Sequence, residues 1–133
     1  MRRVTTKRME RTEHTIDAAL TAGEHVVAQG PCWGAALTGR ARLLLARRTE
    51  YVLVLTDRRF LVLAARRGED PTVLLAKRYD SFELERFRPT RSFGLGQAVL
   101  QGPGGIRMVL EFRRKQRDLA YQLADQLRAT QPA

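Results

Sequence analysis

The fold is decided by residues 51–63, which read Tyr51-Val-Leu-Val-Leu55, Thr56-Asp-Arg-Arg59 and Phe60-Leu-Val-Leu63. Two apolar runs rich in β-branched residues flank a polar tetrapeptide of turn length, so the stretch predicts a β-hairpin. Apolar side chains occupy both the odd and the even positions of each arm, and successive side chains of a strand point to opposite faces. Both faces must therefore be covered, one by the core and the other by a helix or by a partner chain.

Four more strands are predicted on the C-terminal side of this hairpin. Breaks that contain proline or glycine separate them, and the second of them alternates strictly between apolar and charged residues, which is typical of a half-buried strand. In the last of them Met108 and Leu110 share one face, whereas Arg107 and Glu111 share the other. The predicted strands cover residues 73–79, 82–86, 96–101 and 106–112.

An apolar stripe of helical period follows and predicts an amphipathic helix that ends near Ala129. Four basic residues precede the stripe, where positive charge opposes the helix dipole at a cost of about 0.3 to 1 kcal/mol each. Either a bound anion relieves this repulsion, or the preceding strand runs on to Arg114 and the helix begins near Asp118. The basic residues are Arg113, Arg114, Lys115 and Arg117, and the stripe is Leu119, Ala120, Leu123, Ala124 and Leu127.

The N-terminal quarter of the chain is less regular. Residues 1–11 include five basic residues and carry little apolar surface, so we expect a flexible basic arm there. Apolar residues at helical spacing predict a short helix over 12–22, which Gly23 ends. Residues 25–29 predict a first strand, closed by the Gly30-Pro31 pair because proline cannot donate to a sheet ladder.

Residues 32–48 suit either a strand or a helical turn, and we favour a strand. The element order is then a helix, six or seven short antiparallel strands and a helix. This order predicts a mainly β (α+β) domain over residues 12–130, an antiparallel barrel of two packed sheets that the C-terminal helix caps.

Charge is the outstanding feature of the composition. There are 24 basic and 14 acidic residues, a net charge of +10, and arginine outnumbers lysine by 21 to 3, so we expect anionic partners. The apolar stretches are far shorter than the ~18 residues that cross a bilayer, and the N-terminus lacks the apolar core of a signal peptide. We therefore expect a cytoplasmic protein.

Residues for catalysis or metal binding are scarce. The single cysteine, Cys32, cannot form an internal disulfide, and His14 and His25 add too few ligands for a zinc site. Neither Cys32 nor the serines stand in an activating context, and Glu83 and Glu85 fall on the wet face of a strand. We expect a protein that is not an enzyme and has no metal and no cofactor.

Three stretches resemble the bacterial pleckstrin-homology-like (PH-like) domains: the hairpin YVLVLTDRRFLVL, Gly23-Glu24 before a short strand, and the closing MVLEFRRKQRDLAYQLADQL. The resemblance covers residues 16–129. It implies a two-sheet antiparallel barrel capped by the last helix, and a module that binds phosphoinositide headgroups, peptides or protein domains. Arg40-Ala41-Arg42 matches the basic-X-arginine triplet of the lipid-binding members, but the lysine that precedes it in their signature is missing here.

The first functional hypothesis is a non-catalytic binding module. A basic rim of Arg40, Arg42, Arg58 and Arg59, with Trp33 in the first loop, would dock onto an acidic protein or an anionic membrane surface. At roughly 1 kcal/mol per basic residue, such a rim suffices for reversible attachment, including peripheral attachment at the inner membrane face.

The alternative is a nucleic-acid-binding protein. The N-terminal arm and an aromatic-basic patch of Arg86, Phe87, Arg88, Arg91 and Phe93 would neutralise phosphates and stack bases. Self-association into a homo-oligomer is a third interpretation, because a partner chain would cover the second apolar face of the hairpin.

Overall fold

The structure, a computed structural model, describes residues 2–38, 49–64, 71–89 and 95–131. Two helices flank seven strands, and short 3-10 turns precede β5, β7 and the last helix. The elements are α1 (Arg2–Ala19), β1 (Val26–Thr38), β2 (Thr49–Thr56), β3 (Arg59–Ala64), β4 (Thr72–Arg78), β5 (Glu83–Arg88), β6 (Gly96–Gln101), β7 (Ile106–Phe112) and α2 (Arg117–Ala129).

All seven strands pair antiparallel in the order β4-β3-β2-β1-β7-β6-β5. The long strand β1 is shared, since residues 26–34 pair with β2 and residues 33–38 pair with β7. The sheet therefore has a first half, β1–β4, and a second half, β5–β7 with the end of β1. Within the described residues β4 and β5 form no ladder, so the sheet is not closed, although the predicted fold class is confirmed.

The main core lies between the two halves of the sheet and is capped by α2. Phe60 packs edge-on against Phe82 at 5.6 Å between ring centroids. All five residues of the predicted helical stripe are buried, and four of them belong to this core. The helix approaches β1 closely at Gly30, where a Cβ atom would lie 3.1 Å from Leu119 Cδ2. The structure thus places α2 where the sequence predicted a cap.

A second, smaller core lies on the outer face of the hairpin formed by β2 and β3. Val54, Leu61 and Leu63 are fully buried there beneath Ile16 of α1. The prediction that both hairpin faces are covered is confirmed, and the cover is a helix of the same chain. A partner chain is not required to bury these side chains.

Two predictions for the N-terminal part are wrong. Helix α1 begins at Arg2, ten residues before the predicted start, so residues 2–11 are helical where we expected a flexible arm. Arginine, lysine and methionine are good helix formers, and a helix already held at Ile16 extends through them without needing apolar burial.

Strand β1 does not stop at Pro31 but runs on to Thr38. Pro31 precedes Trp33, where pairing with β7 starts, so one side of β1 is still an unpaired edge at which proline is tolerated. Residues 32–38 of the ambiguous segment are strand as favoured, and residues 39–48 lie outside the described residues.

At the start of α2, the structure is close to the alternative in which the strand runs on to Arg114 and the helix begins near Asp118. Strand β7 ends at Phe112, a 3-10 turn covers Arg114–Gln116, and α2 begins at Arg117, next to Asp118. Neither described helix is long and apolar enough to cross a membrane.

Candidate functional site

The T-D-R-R turn between β2 and β3 is built around Glu24, whose side chain is 0% exposed. Arg59 donates to this carboxylate from Nε at 2.9 Å and from Nη2 at 3.0 Å. Thr56 Oγ1 donates to it at 2.6 Å, and the Thr21 backbone N–H donates at 3.0 Å. With Thr21 Oγ1, which donates at 3.3 Å, five donors converge on one buried carboxylate, and those of Thr56 and Arg59 tie Glu24 to the turn 32 to 35 positions along the chain.

These bonds hold Glu24 in its charged form. The hydrogen bond from Arg59 lowers the pKa of Glu24 to about 2, against the opposing effect of burial, and the bonds from Thr56 and Thr21 add to the shift. Arg59 also donates to the Ala19 carbonyl, and Arg58 donates to the Ala22 carbonyl at 3.1 Å. Arg58 and Arg59, two of the four predicted rim arginines, therefore fasten the end of α1 and the residues after it to the hairpin, and these bonds need no ligand.

Trp33 lies within β1, not in a loop as the sequence suggested. It is half-buried, and its cross-strand partners are Glu50 on β2 and Glu111 on β7. The Arg113 guanidinium lies 4.4 Å from the centre of the Trp33 ring, a cation–π contact. A pocket of about 140 Å³ opens beside the ring.

The pocket has a mixed lining. Burial raises the pKa of the Cys32 thiol to about 12, and the charge of Glu50 adds to the shift, so this thiol is neutral and unreactive at pH 7. Among the residues that the structure describes, no group of three metal-ligating side chains is found. The lining residues are Pro31, Cys32, Trp33, Glu50, Glu111, Arg113, Lys115 and Gln116.

Trp33 belongs to a row of side chains across the second half of the sheet. Arg88 pairs with Gln97, Gln97 with Glu111, and Glu111 with Trp33, so these residues share one face. Three strand spacings put Arg88 about 14 Å from Trp33. Arg58 and Arg59 lie about 20 Å from Trp33, beyond the other end of β2, so Trp33 does not cluster with these two arginines.

More basic side chains follow Glu111 along the chain, after β7 and at the start of α2. Arg113, Arg114, Lys115 and Arg117 are all exposed. The last three form no ion pair with any acid in the described ranges. We call the surface formed by Trp33, Arg88, Arg113, Arg114, Lys115 and Arg117 the basic edge.

The aromatic-basic patch divides between two faces of β5. Arg86 and Arg88 are exposed on the outer face. Phe87 instead packs toward the main core, with its ring 5.3 Å from Tyr121 and the Arg128 guanidinium 5.5 Å from the ring centre. Arg40, Arg42, Arg91 and Phe93 lie outside the described residues.

Sequence reasoning missed the contact of Arg113 with Trp33 and the burial of Glu24. The basic run at 113–117 is visible in the sequence, but its link to Trp33 depends on the register between β1 and β7. The pair Gly23-Glu24 and the turn L-T-D-R-R were both singled out, and the structure shows that they contact each other.

No family model and no curated protein matches the sequence. Solved structures do match. A structure of Vav1 inhibited by an allosteric inhibitor has a TM-score of 0.55 at 13% identity over 96% of this chain, and the linker-DH/PH domains of p115-RhoGEF have 0.57 at 12% over 87%. This chain spans only 23% and 32% of those two chains.

Two other matches are of similar size to this chain. The PH domain of Slm1, in complex with inositol-4-phosphate, has a TM-score of 0.54 at 13% identity, covering 80% of this chain and 96% of that one. The C-terminal domain of an unknown protein from Leishmania infantum has 0.53 at 17%, covering 92% and 97%. Structural matches at such low sequence identity support a shared fold but not a shared function. Seven antiparallel strands, the capping C-terminal helix and these likenesses together show that the chain has a pleckstrin-homology-like fold.

Proposed function

We propose that this chain is a non-catalytic binding module that docks through its basic edge onto an anionic partner, either an acidic protein or an anionic membrane surface. The observation that carries the proposal is the run of exposed cations at the start of α2. Arg114, Lys115 and Arg117 have no acidic partner among the described residues, and Arg117 is the first residue of α2, where the helix dipole disfavours positive charge. This arrangement does not stabilise the fold, but it would favour binding to an anionic surface.

The neighbouring residues support the same function. Trp33 supplies an amphipathic ring beside the cations, as is common where a protein meets a lipid headgroup layer. The relation to Slm1-PH, which was solved with an inositol phosphate, supports an anionic ligand only at the level of the fold. The stacking form of the nucleic-acid alternative has less support, because Phe87 faces the core.

The membrane branch is tested by co-sedimentation with vesicles that contain graded fractions of anionic lipid. We expect pelleting to increase with the anionic fraction and to decrease with salt. The double variant Arg114→Glu/Lys115→Glu should bind about 30-fold more weakly, since each reversal costs at least ~1 kcal/mol near such a surface.

The matched control is Lys77→Glu/Arg78→Glu on β4, three strands from β1, which changes the net charge by the same amount. Both residues are exposed, and the Arg78–Asp80 pair that is lost is a solvent-exposed one. Equal weakening in the two variants would show that net charge, and not the basic edge, governs binding. No pelleting at low salt would eliminate the membrane branch.

A further inference from the structure

The pocket beside Trp33 is large enough for one apolar side chain. It encloses about 140 Å³, and an engineered apolar cavity of about 150 Å³ holds a benzene molecule. Pro31, Cys32, Trp33 and Gln116 supply uncharged surface to its walls. A group the size of a leucine side chain therefore fits, whereas a long polar chain would protrude.

Charges in the pocket favour a neutral occupant. Glu50 and Glu111 oppose Arg113 and Lys115 in the lining, so the formal charges cancel and an anion inside the pocket would meet two carboxylates. Outside the pocket the balance differs, because Arg114 and Arg117 extend the basic edge without described acidic partners. The surface is therefore complementary to a ligand with a neutral group in the pocket and negative charge around it.

We propose that the pocket receives one apolar side chain of an acidic protein segment, whose carboxylates lie against the basic edge. The inference rests on the proposed function and commits it to the acidic-protein branch. A bilayer surface presents phosphates at this point, which Glu50 and Glu111 would repel. A nucleobase could not stack on the face of the Trp33 ring that the Arg113 guanidinium already occupies.

Trp33 is the only tryptophan of the chain, so its fluorescence reports directly on the pocket. The probes are three blocked pentapeptides: Glu-Glu-Leu-Glu-Glu, the same peptide with a central alanine, and Gln-Gln-Leu-Gln-Gln. We expect the first to change the tryptophan emission saturably. The central alanine should weaken binding at least about tenfold through lost apolar burial, and the glutamine peptide should bind more weakly and without salt dependence.

Matched charge reversals locate the peptide. Lys115→Glu should weaken binding of the leucine peptide about fivefold, and Lys77→Glu, which reverses an equally exposed lysine on β4, should not. Thermal unfolding of both variants checks that they fold.

Three results would overturn the inference. An unchanged emission with the leucine peptide at about 1 mM would exclude the pocket as its site. Equal affinities for the leucine and alanine peptides would leave electrostatic docking intact but remove the apolar anchor. Failure of acidic peptides and anionic vesicles alike would overturn the proposed function as well.

Discussion

Protonation of Glu24 should weaken the contact between α1 and the β2–β3 hairpin and so lower the folding stability. The carboxyl group has a pKa of about 2 in the folded protein and a reference value of 4.5. That difference corresponds to about 3 kcal/mol of folding free energy, since one pKa unit is worth about 1.4 kcal/mol. Both partners are largely shielded, because the side chains of Glu24 and Arg59 are 0% and 21% exposed, so solvent screening removes little of it.

The direction of the pH effect follows from the lowered pKa. The unfolded chain takes up the proton first as the pH falls, so the stabilisation is complete above about pH 5 and is lost between about pH 4.5 and pH 2. At pH 3 roughly 2 kcal/mol of it should be gone. Other carboxyl groups also titrate in this range, so the effect of Glu24 has to be isolated by a variant.

Glu24→Gln removes the charge and leaves Arg59 without its partner, which should cost about 3 kcal/mol or more at pH 7. Urea unfolding of the wild type and of the variant gives this difference at pH 7 and again at pH 3. We expect it to shrink by about 2 kcal/mol at the lower pH. A difference below about 1 kcal/mol at pH 7, or one that does not change with pH, would refute the role assigned to Glu24.

Three further predictions test the packing. Ile16→Ala should lower the free energy of unfolding by about 2 to 5 kcal/mol in urea denaturation, because it empties the centre of the outer core; a loss below about 1 kcal/mol would contradict that burial. Gly30→Val should lower the melting temperature by an amount equivalent to about 1 to 3 kcal/mol, since an added Cβ atom would lie 2.5 Å from Gln116 Oε1 and 3.1 Å from Leu119 Cδ2; an unchanged melting temperature would argue against the close approach of α2. Cys32 should react with a thiol reagent at pH 8 at least about a thousandfold more slowly in the folded protein than in denaturant, and similar rates in both states would show that the thiol is accessible.

Elements with a strong local period could be predicted from the sequence. The hairpin at 51–63, strand β6, strand β7 and the buried stripe of α2 all agree with the pattern that predicted them. In each of them the side chains that face the core repeat at the period of the element itself. No information from distant parts of the chain is needed to identify such a segment.

Elements set by distant partners could not be predicted in the same way. The length of β1 depends on pairing with β2 along one part and with β7 along another, and neither register is visible within residues 26–38. The basic residues before Ile16 give no amphipathic signal, so the sequence predicts a flexible arm where the structure has a helix.

The candidate site shows the same division. Trp33 and the basic run at 113–117 could be recognised separately by residue type, whereas the cation–π contact that joins them needs the β1–β7 pairing. Arg58 and Arg59 were chosen for their charge, and their fixed bonds became visible only once Glu24 was placed beneath the turn.

The two cores on either side of the hairpin have a consequence for how this segment tolerates change. In a strand with one solvent-exposed face, saturation mutagenesis finds that every second position tolerates substitution. Along 53–55 and 60–63 all the side chains are buried, alternately in the main core and under α1. A scan of this chain should therefore show two unbroken intolerant blocks, one at 53–55 and one at 60–63, in place of that alternation.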